Sequence, residues 1–324
     1  MSELIETYGL PPVPKLARVA GAEECTADID GVRWRYLRAG RGPALLLVHG
    51  VTAYSFSWRF VIQGLARCYT VYAVDLPGCG FSQRSATLPG TLASDAEHLL
   101  KFMDHLGIDQ FDVLATSRGG GAAIAMAGLA AKRGELHRMG RMVLSAPINP
   151  WSRIGFLRVR FLRTVAGRLY LTYVEPRLPF LVETFFKRLF GNRSRVPSDS
   201  LAGYQAGWKP EGSLWHLWNI VRSWMTDLRL IESALPVVKS VPALLLWGDR
   251  DVAVEPASAE ELHRRWDNSE VVMMDGVGHM PYEEVPEEFN RIALDFLLRD
   301  TPAISPRKEL LPAMAYAASE LRRA

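Results

Sequence analysis

Hydrophobic positions recur along this chain with two different periods. Continuous apolar runs at residues 44–48, 69–74, 111–116, 141–145, 243–247 and 270–274 predict short strands buried on both faces. Between most of them lie segments with apolar positions every three or four residues, near 56–67, 89–106, 119–129, 256–266 and 286–298, which predict helices. Strand and helix in alternation predict an α/β fold, a mostly parallel sheet covered on both faces. Two further strands, 24–29 and 32–37, flank Asp30-Gly31, a dipeptide suited to a two-residue hairpin.

The alternation stops at residue 148 and resumes near 236. Helices are expected around 156–173, 179–190 and 213–230, so residues 148–235 read as a helical cap inserted into a core of residues 23–147 and 236–300. Residues 1–22 are rich in proline and read as an extension lying on the surface. Residues 301–324 form a tail with apolar positions at helical spacing.

Charge sharpens this division. The chain carries a net +3, yet residues 148–236 hold thirteen Lys and Arg against six Asp and Glu, a local +7 that leaves the remainder at −4. These cap arginines are either a solvated face or a docking surface for an acidic carrier protein or an anionic membrane. No nucleic-acid motif accompanies them, so a nucleic-acid partner is not expected. No run of about 18 apolar residues is present to span a bilayer. The N-terminus has no basic start before an apolar core, so no signal peptide is expected and a cytoplasmic location is. Three cysteines without CxxC spacing suggest neither a disulfide framework nor a zinc site. No metal or cofactor is implied.

The candidate chemistry centres on Ser117, in VLATSRGGGAA at 113–123. A serine hydroxyl needs a base, a group that orients the base, and donors for the oxyanion that forms. Ser117 falls on the turn between an apolar strand and a helix of small residues, as in the G-x-S-x-G elbow, with Ala115 at the first small position. Asp251 follows the strand 243–247 in LLLWGDRD and is favoured over Asp249 by spacing; His279 lies on a Gly-flanked loop in MMDGVGHMPYEE. In parallel sheets, functional groups gather at the carboxyl ends of strands, which puts all three on one edge. Gly50 in HGVT, just past the strand 44–48, lets backbone amides turn into the same cleft, and the amides of Val51 and Arg118 are the candidate oxyanion donors.

HG at 49–50, DLPGCGFS at 75–82, ATSRGG at 115–120, WGDRD at 247–251 and GVGHMPYEEVPEEF at 276–289 together resemble the motif set of the α/β-hydrolase superfamily over residues 23–300. The resemblance implies that Ser117 is the nucleophile, His279 the base and Asp251 its orienting acid. It implies hydrolysis of a small to medium apolar carboxylic ester through an acyl-enzyme. Epoxide hydrolases and haloalkane dehalogenases of this superfamily use an aspartate where Ser117 stands. Ring-cleavage carbon–carbon hydrolases typically place tryptophan after the catalytic histidine, where this chain has Met280. Thioesterase, lactonase, lyase or perhydrolase chemistry, and a binding role on the same fold, remain alternatives. Gly50, Thr52, Trp215, Trp218 and Met280 are expected to contact substrate. Leu214, Trp218, Val221 and Met225 share a helical face that either packs on the sheet or roofs an acyl pocket. The Arg118 guanidinium is expected either to meet a substrate carboxylate or to pair with an acidic side chain beneath the cap.

Overall fold

The computed structural model describes residues 7, 8, 10–85, 87–153, 156–174 and 177–299. A short ladder of β1 (Thr7–Tyr8) with β6 (Arg84–Ser85) stands apart from the main sheet. In the main sheet, Asp30 and Gly31 take φ of +53° and +76°, the twist that a tight hairpin needs. They join β2 (Glu23–Ile29) to β3 (Val32–Ala39) antiparallel, with Ile29 opposite Val32.

The apolar runs become β4 (Ala44–Val48), β5 (Thr70–Val74), β7 (Phe111–Thr116), β8 (Met139–Ser145), β9 (Ala243–Gly248) and β10 (Ser269–Met274). The eight strands of the sheet lie in the order β10-β9-β8-β7-β4-β5-β3-β2, and from β10 through β5 every neighbouring pair is parallel. Alternate side chains of β4 serve two different cores. Leu46 and Val48 enter the one that contains Leu99, Ile124 and Trp247; Leu45 and Leu47 enter the one that contains Trp58, Ile62 and Phe289. A strand covered on both faces in this way has no polar side to show, which is why its sequence reads as a continuous apolar run.

The first core is closed by α2 (Leu92–His105) and α3 (Arg118–Lys132), the second by the single turn α1 (Ile62–Leu65) and by α11 (Pro286–Leu297). Two sequence expectations are corrected here. The helix expected at 56–67 is instead a 3-10 turn at Ser55–Trp58 followed by α1, because Ser57, Arg59 and Val61 each donate to the carbonyl three residues back. Nor do residues 10–22 merely lie on the surface: Ala17 and Val19 are buried in the second core, and Gln63 Nε2 donates to the Ala20 carbonyl at 3.2 Å. The tail at 301–324 lies outside the described residues.

Between β8 and β9 the chain forms α4 (Phe156–Leu162), α5 (Val165–Leu169), a π-helical turn at Tyr170–Val174, α6 (Pro179–Arg188), α7 (Ser200–Trp208) and α8 (Ser213–Val238). The single helix expected at 156–173 is broken because the Thr164 side chain accepts from the Gly167 amide at 3.0 Å and starts a new helix. The expected end at Leu230 is passed by α8, which continues through Pro236; Pro236 and Glu232, one turn before it, lie on the exposed side of the helix. There the carbonyl that proline leaves unpaired has access to water.

Candidate active site

Ser117 sits at φ +52° and ψ −122°, a conformation that side chains other than glycine rarely take. The turn is held by backbone alone. The Ser117 amide donates to the Ser145 carbonyl at 2.9 Å, and the Ser117 carbonyl accepts from Gly120, Gly121 and Ile148. A Cβ at Gly119 would collide with the carbonyl oxygens of Val48 and His49, so only glycine lets α3 start this close to the end of β4. Ala115 is fully buried opposite Val48. Its methyl group fits the strand position where the elbow pattern usually has glycine.

The carboxyl ends of β7, β9 and β10 carry the three candidate residues. Gly248 packs so tightly on the carbonyls of Val277 and Gly278 that any side chain there would clash. That contact brings the loop after β9 against the loop after β10, and His279 Nδ1 lies 2.7 Å from Asp251 Oδ2. The other Asp251 oxygen accepts from the amides of Ala253 and Val254 at 2.7 and 3.0 Å. Three donors thus fix the carboxylate, and a carboxylate so placed holds the imidazole with Nδ1 protonated and Nε2 available as a base. Asp249, the sequence alternative, is exposed.

His49, buried at the end of β4, shapes the neighbouring turn. Its Nε2 lies 3.0 Å from the Leu76 amide, which can only donate, so Nε2 accepts and Nδ1 carries the proton toward the Gly50 carbonyl at 2.8 Å. Gly50 in turn lies against Ser117: a Cβ there would stand 3.1 Å from the Ser117 Cβ. Thr52 takes φ +62°, and its carbonyl accepts from Trp208 Nε1 at 2.6 Å. The Val51 amide therefore belongs to a turn pinned from the core by His49 and from α7 by Trp208.

The Arg118 guanidinium is buried and pairs with Asp95 Oδ2 at 2.5 Å, while its Nη2 donates to the Gly90 carbonyl at 2.8 Å. Of the two expectations for this side chain, the ion pair is the one the structure contains.

The expected substrate contacts divide. Thr52 lines a small cleft between the turn after β4 and the insert, together with Ala53, Trp208, His216, Leu217 and Ile220; Ser117, Asp251 and His279 do not line it. Trp215 and Trp218 do not line it. They lie on the opposite side of α8, 5.5 Å apart between ring centroids, with Arg168 over both rings and Arg222 over Trp218. Met280 is buried in the second core. The face of Leu214 and Val221 packs neither on the sheet nor over a pocket, but on Leu162 and Leu171 of the insert. His216 and Ile220, which line the cleft, share a helical stripe about 150° from Trp215 and Trp218.

Two acids just past His279 were not singled out from the sequence. The Glu284 carboxylate accepts from the amides of Gly278, Gly191 and Asn192 at 2.8–2.9 Å, tying the histidine loop to the insert. Glu283 is buried against Arg59, Ser200 and Tyr204.

Burial lowers the pKa of His216 from 6.5 to about 4, and burial also holds His49 below the usual imidazole range. Among the described residues His216 Nδ1 has no hydrogen-bond partner to compensate a charge. The unfolded chain therefore binds a proton that the folded chain refuses. The stabilisation is complete above pH 6.5 and is lost as pH falls toward 4, at about 1.4 kcal/mol per pH unit for one such histidine. Asp227, whose carboxyl is raised by burial, acts with the opposite sign at lower pH. Urea unfolding at pH 7 and pH 5 is expected to show wild type losing about 2 kcal/mol more than His216→Gln; equal losses would contradict the assignment.

Comparison with known proteins agrees with this fold. The model of the α/β hydrolase fold family matches residues 43–286. A dihydrolipoyllysine-residue acetyltransferase component of the acetoin cleaving system of Cupriavidus necator is 39% identical over 129 residues, 39% of this chain and 34% of that protein, so the match spans about a third of that relative's length. The N-formylmaleamate deformylase of Pseudomonas putida is 28% identical over 83% of this chain and 94% of its own. In fold, Cfl2 of Burkholderia cenocepacia superposes with a TM-score of 0.74 at 20% identity, covering 88% of this chain and 98% of that one. A strained turn after the fifth strand of the main sheet, a parallel sheet that gathers its loops on one edge, and a family match over most of the chain lead to one conclusion: this chain belongs to the α/β-hydrolase fold family.

Proposed function

We propose that the protein is a serine hydrolase that cleaves a small to medium apolar carboxylic ester through an acyl-enzyme. The observation that carries the reading is a serine, not a carboxylate, on the strained elbow, on the same sheet edge as a bonded His279–Asp251 pair. In this mechanism His279 Nε2 takes the Ser117 proton as Oγ attacks the carbonyl carbon. The amides of Val51 and Arg118 bind the oxyanion, and the imidazolium returns the proton to the leaving alkoxide. Water activated by the same imidazole then releases the acid and frees Ser117. Attack at an alkyl carbon would leave a serine ether, which this machinery cannot hydrolyse. The likeness to a deformylase over most of both chains supports the acyl carbon as the point of attack.

The test is a pre-steady-state assay with p-nitrophenyl esters of rising acyl length. A burst of p-nitrophenol close to one equivalent per chain is expected, with the acid and the alcohol as the only products. Turnover of an ester without an acylated Ser117 in the mass spectrum would refute the mechanism, and cleavage without uptake of water would make the protein a lyase.

A further inference from the structure

Nine of the thirteen large apolar side chains that stand exposed among the described residues lie between residues 161 and 215. Phe161, Val165, Leu169, Tyr173 and Phe180 are 46%, 77%, 51%, 57% and 59% exposed. Their exposure follows from how the insert folds. Gly167 lets α5 close against the carbonyl of Phe161 and the backbone of Leu162. Leu162 and Leu171 then turn inward onto Val221 of α8, and the remaining apolar positions face out. An amphipathic helix pair that buries one apolar face and still shows a second has a further apolar medium to meet.

The charge on the same segment identifies that medium. Residues 156–195 hold nine Lys and Arg against two Asp and Glu. Arg160, Arg163, Arg177, Lys187 and Arg188 are exposed beside the apolar side chains. Guanidinium groups suit phosphate oxygens in a planar, two-point contact. An anionic bilayer uses both sets at once, its phosphates meeting the arginines and its acyl boundary taking Val165, Leu169 and Phe180. No helix among the described residues is long and apolar enough to cross a membrane, so the association is peripheral.

We propose that this face of the insert seats on an anionic lipid bilayer, with Phe161, Val165, Leu169 and Phe180 entering the acyl boundary and the flanking arginines meeting lipid phosphates. The assignment is independent of the ester reading, because the surface contains none of the residues given a part in the chemistry.

Flotation with vesicles tests it without an activity assay. The full chain is expected to float with vesicles of phosphatidylglycerol and phosphatidylcholine at low salt, and to stay behind with phosphatidylcholine alone. Arg160→Glu, Arg163→Glu and Arg188→Glu combined are expected to weaken vesicle partitioning by roughly 10²-fold or more, at about fivefold for each cation removed. Val165→Ser, Leu169→Ser and Phe180→Ser combined are expected to weaken it at unchanged charge, and their exposure keeps the fold out of the comparison. Circular dichroism of both variants checks that. Absence of flotation with either vesicle, flotation indifferent to both variants, or capture by an acidic acyl carrier protein without vesicle binding overturns the proposal.

Discussion

Ser117→Ala is expected to lower kcat for p-nitrophenyl ester hydrolysis by on the order of 10⁶-fold while leaving the unfolding midpoint almost unchanged. The two halves of this expectation come from different atoms. The elbow is built from the Ser117 amide and carbonyl, which bond to Ser145, Gly120, Gly121 and Ile148, and alanine keeps all of these at the same positive φ. Only Oγ is lost, and with it the acyl-enzyme. His279→Ala is expected to cost about as much, and the double variant little more, because nucleophile and base act as one unit. Asp251→Asn is the more discriminating change. Its oxygen can still accept from Ala253 and Val254, but an amide NH₂ then faces Nδ1 and favours the tautomer with the proton on Nε2. A loss of about 10⁴-fold is expected, with the fold intact. Additive losses in the double variant, or an Asp251→Asn enzyme of near-normal rate, would remove His279 and Asp251 from the assigned roles.

The parts of this site that were legible in the sequence are those fixed by local backbone chemistry. A buried strand between two covered faces must be apolar throughout, so β4, β7 and β9 announced themselves. A strand that turns at once into a helix needs small residues, so Gly119 to Gly121 marked Ser117 out. What was not legible depends on contacts distant in sequence. The helix α7 is not among the helices expected from the sequence; SLAGYQAGW contains two glycines, which weaken a helical signal, yet both serve packing: Gly203 lies against the Phe56 ring, and Gly207 against Tyr54. The rotation of α8 that aims His216 and Ile220, rather than Trp215 and Trp218, at the cleft is set by Leu162 and Leu171 packing on Val221. Glu283 and Glu284 look like the acidic first turn of one short helix, and only the fold shows their partners in the insert.

Arg118 shows the same limit at the centre of the site and leads to the second large expectation. A cation at the first residue of a helix opposes the helix dipole, and this one is also buried, so it persists only with compensation. Asp95 on α2 supplies it at 2.5 Å, the Gly90 carbonyl takes a second proton at 2.8 Å, and Asp227 on α8 adds favourable charge nearby. Asp227 is itself engaged by the Leu92 amide and Ser223. It cannot replace Asp95 without giving up those bonds. Asp95→Ala is therefore expected to destabilise the protein by about 3–5 kcal/mol, read as a lower urea midpoint at constant slope. Removing both charges, as Arg118→Met with Asp95→Leu, is expected to restore most of that loss, since the penalty belongs to the unpaired ion rather than to the missing attraction. The double variant also separates the two uses of an arginine beside Ser117. If the guanidinium serves the fold alone, the double variant hydrolyses neutral and anionic p-nitrophenyl esters in the wild-type ratio; a selective rise in KM for the anionic ester would mean that the side chain reaches substrate after all.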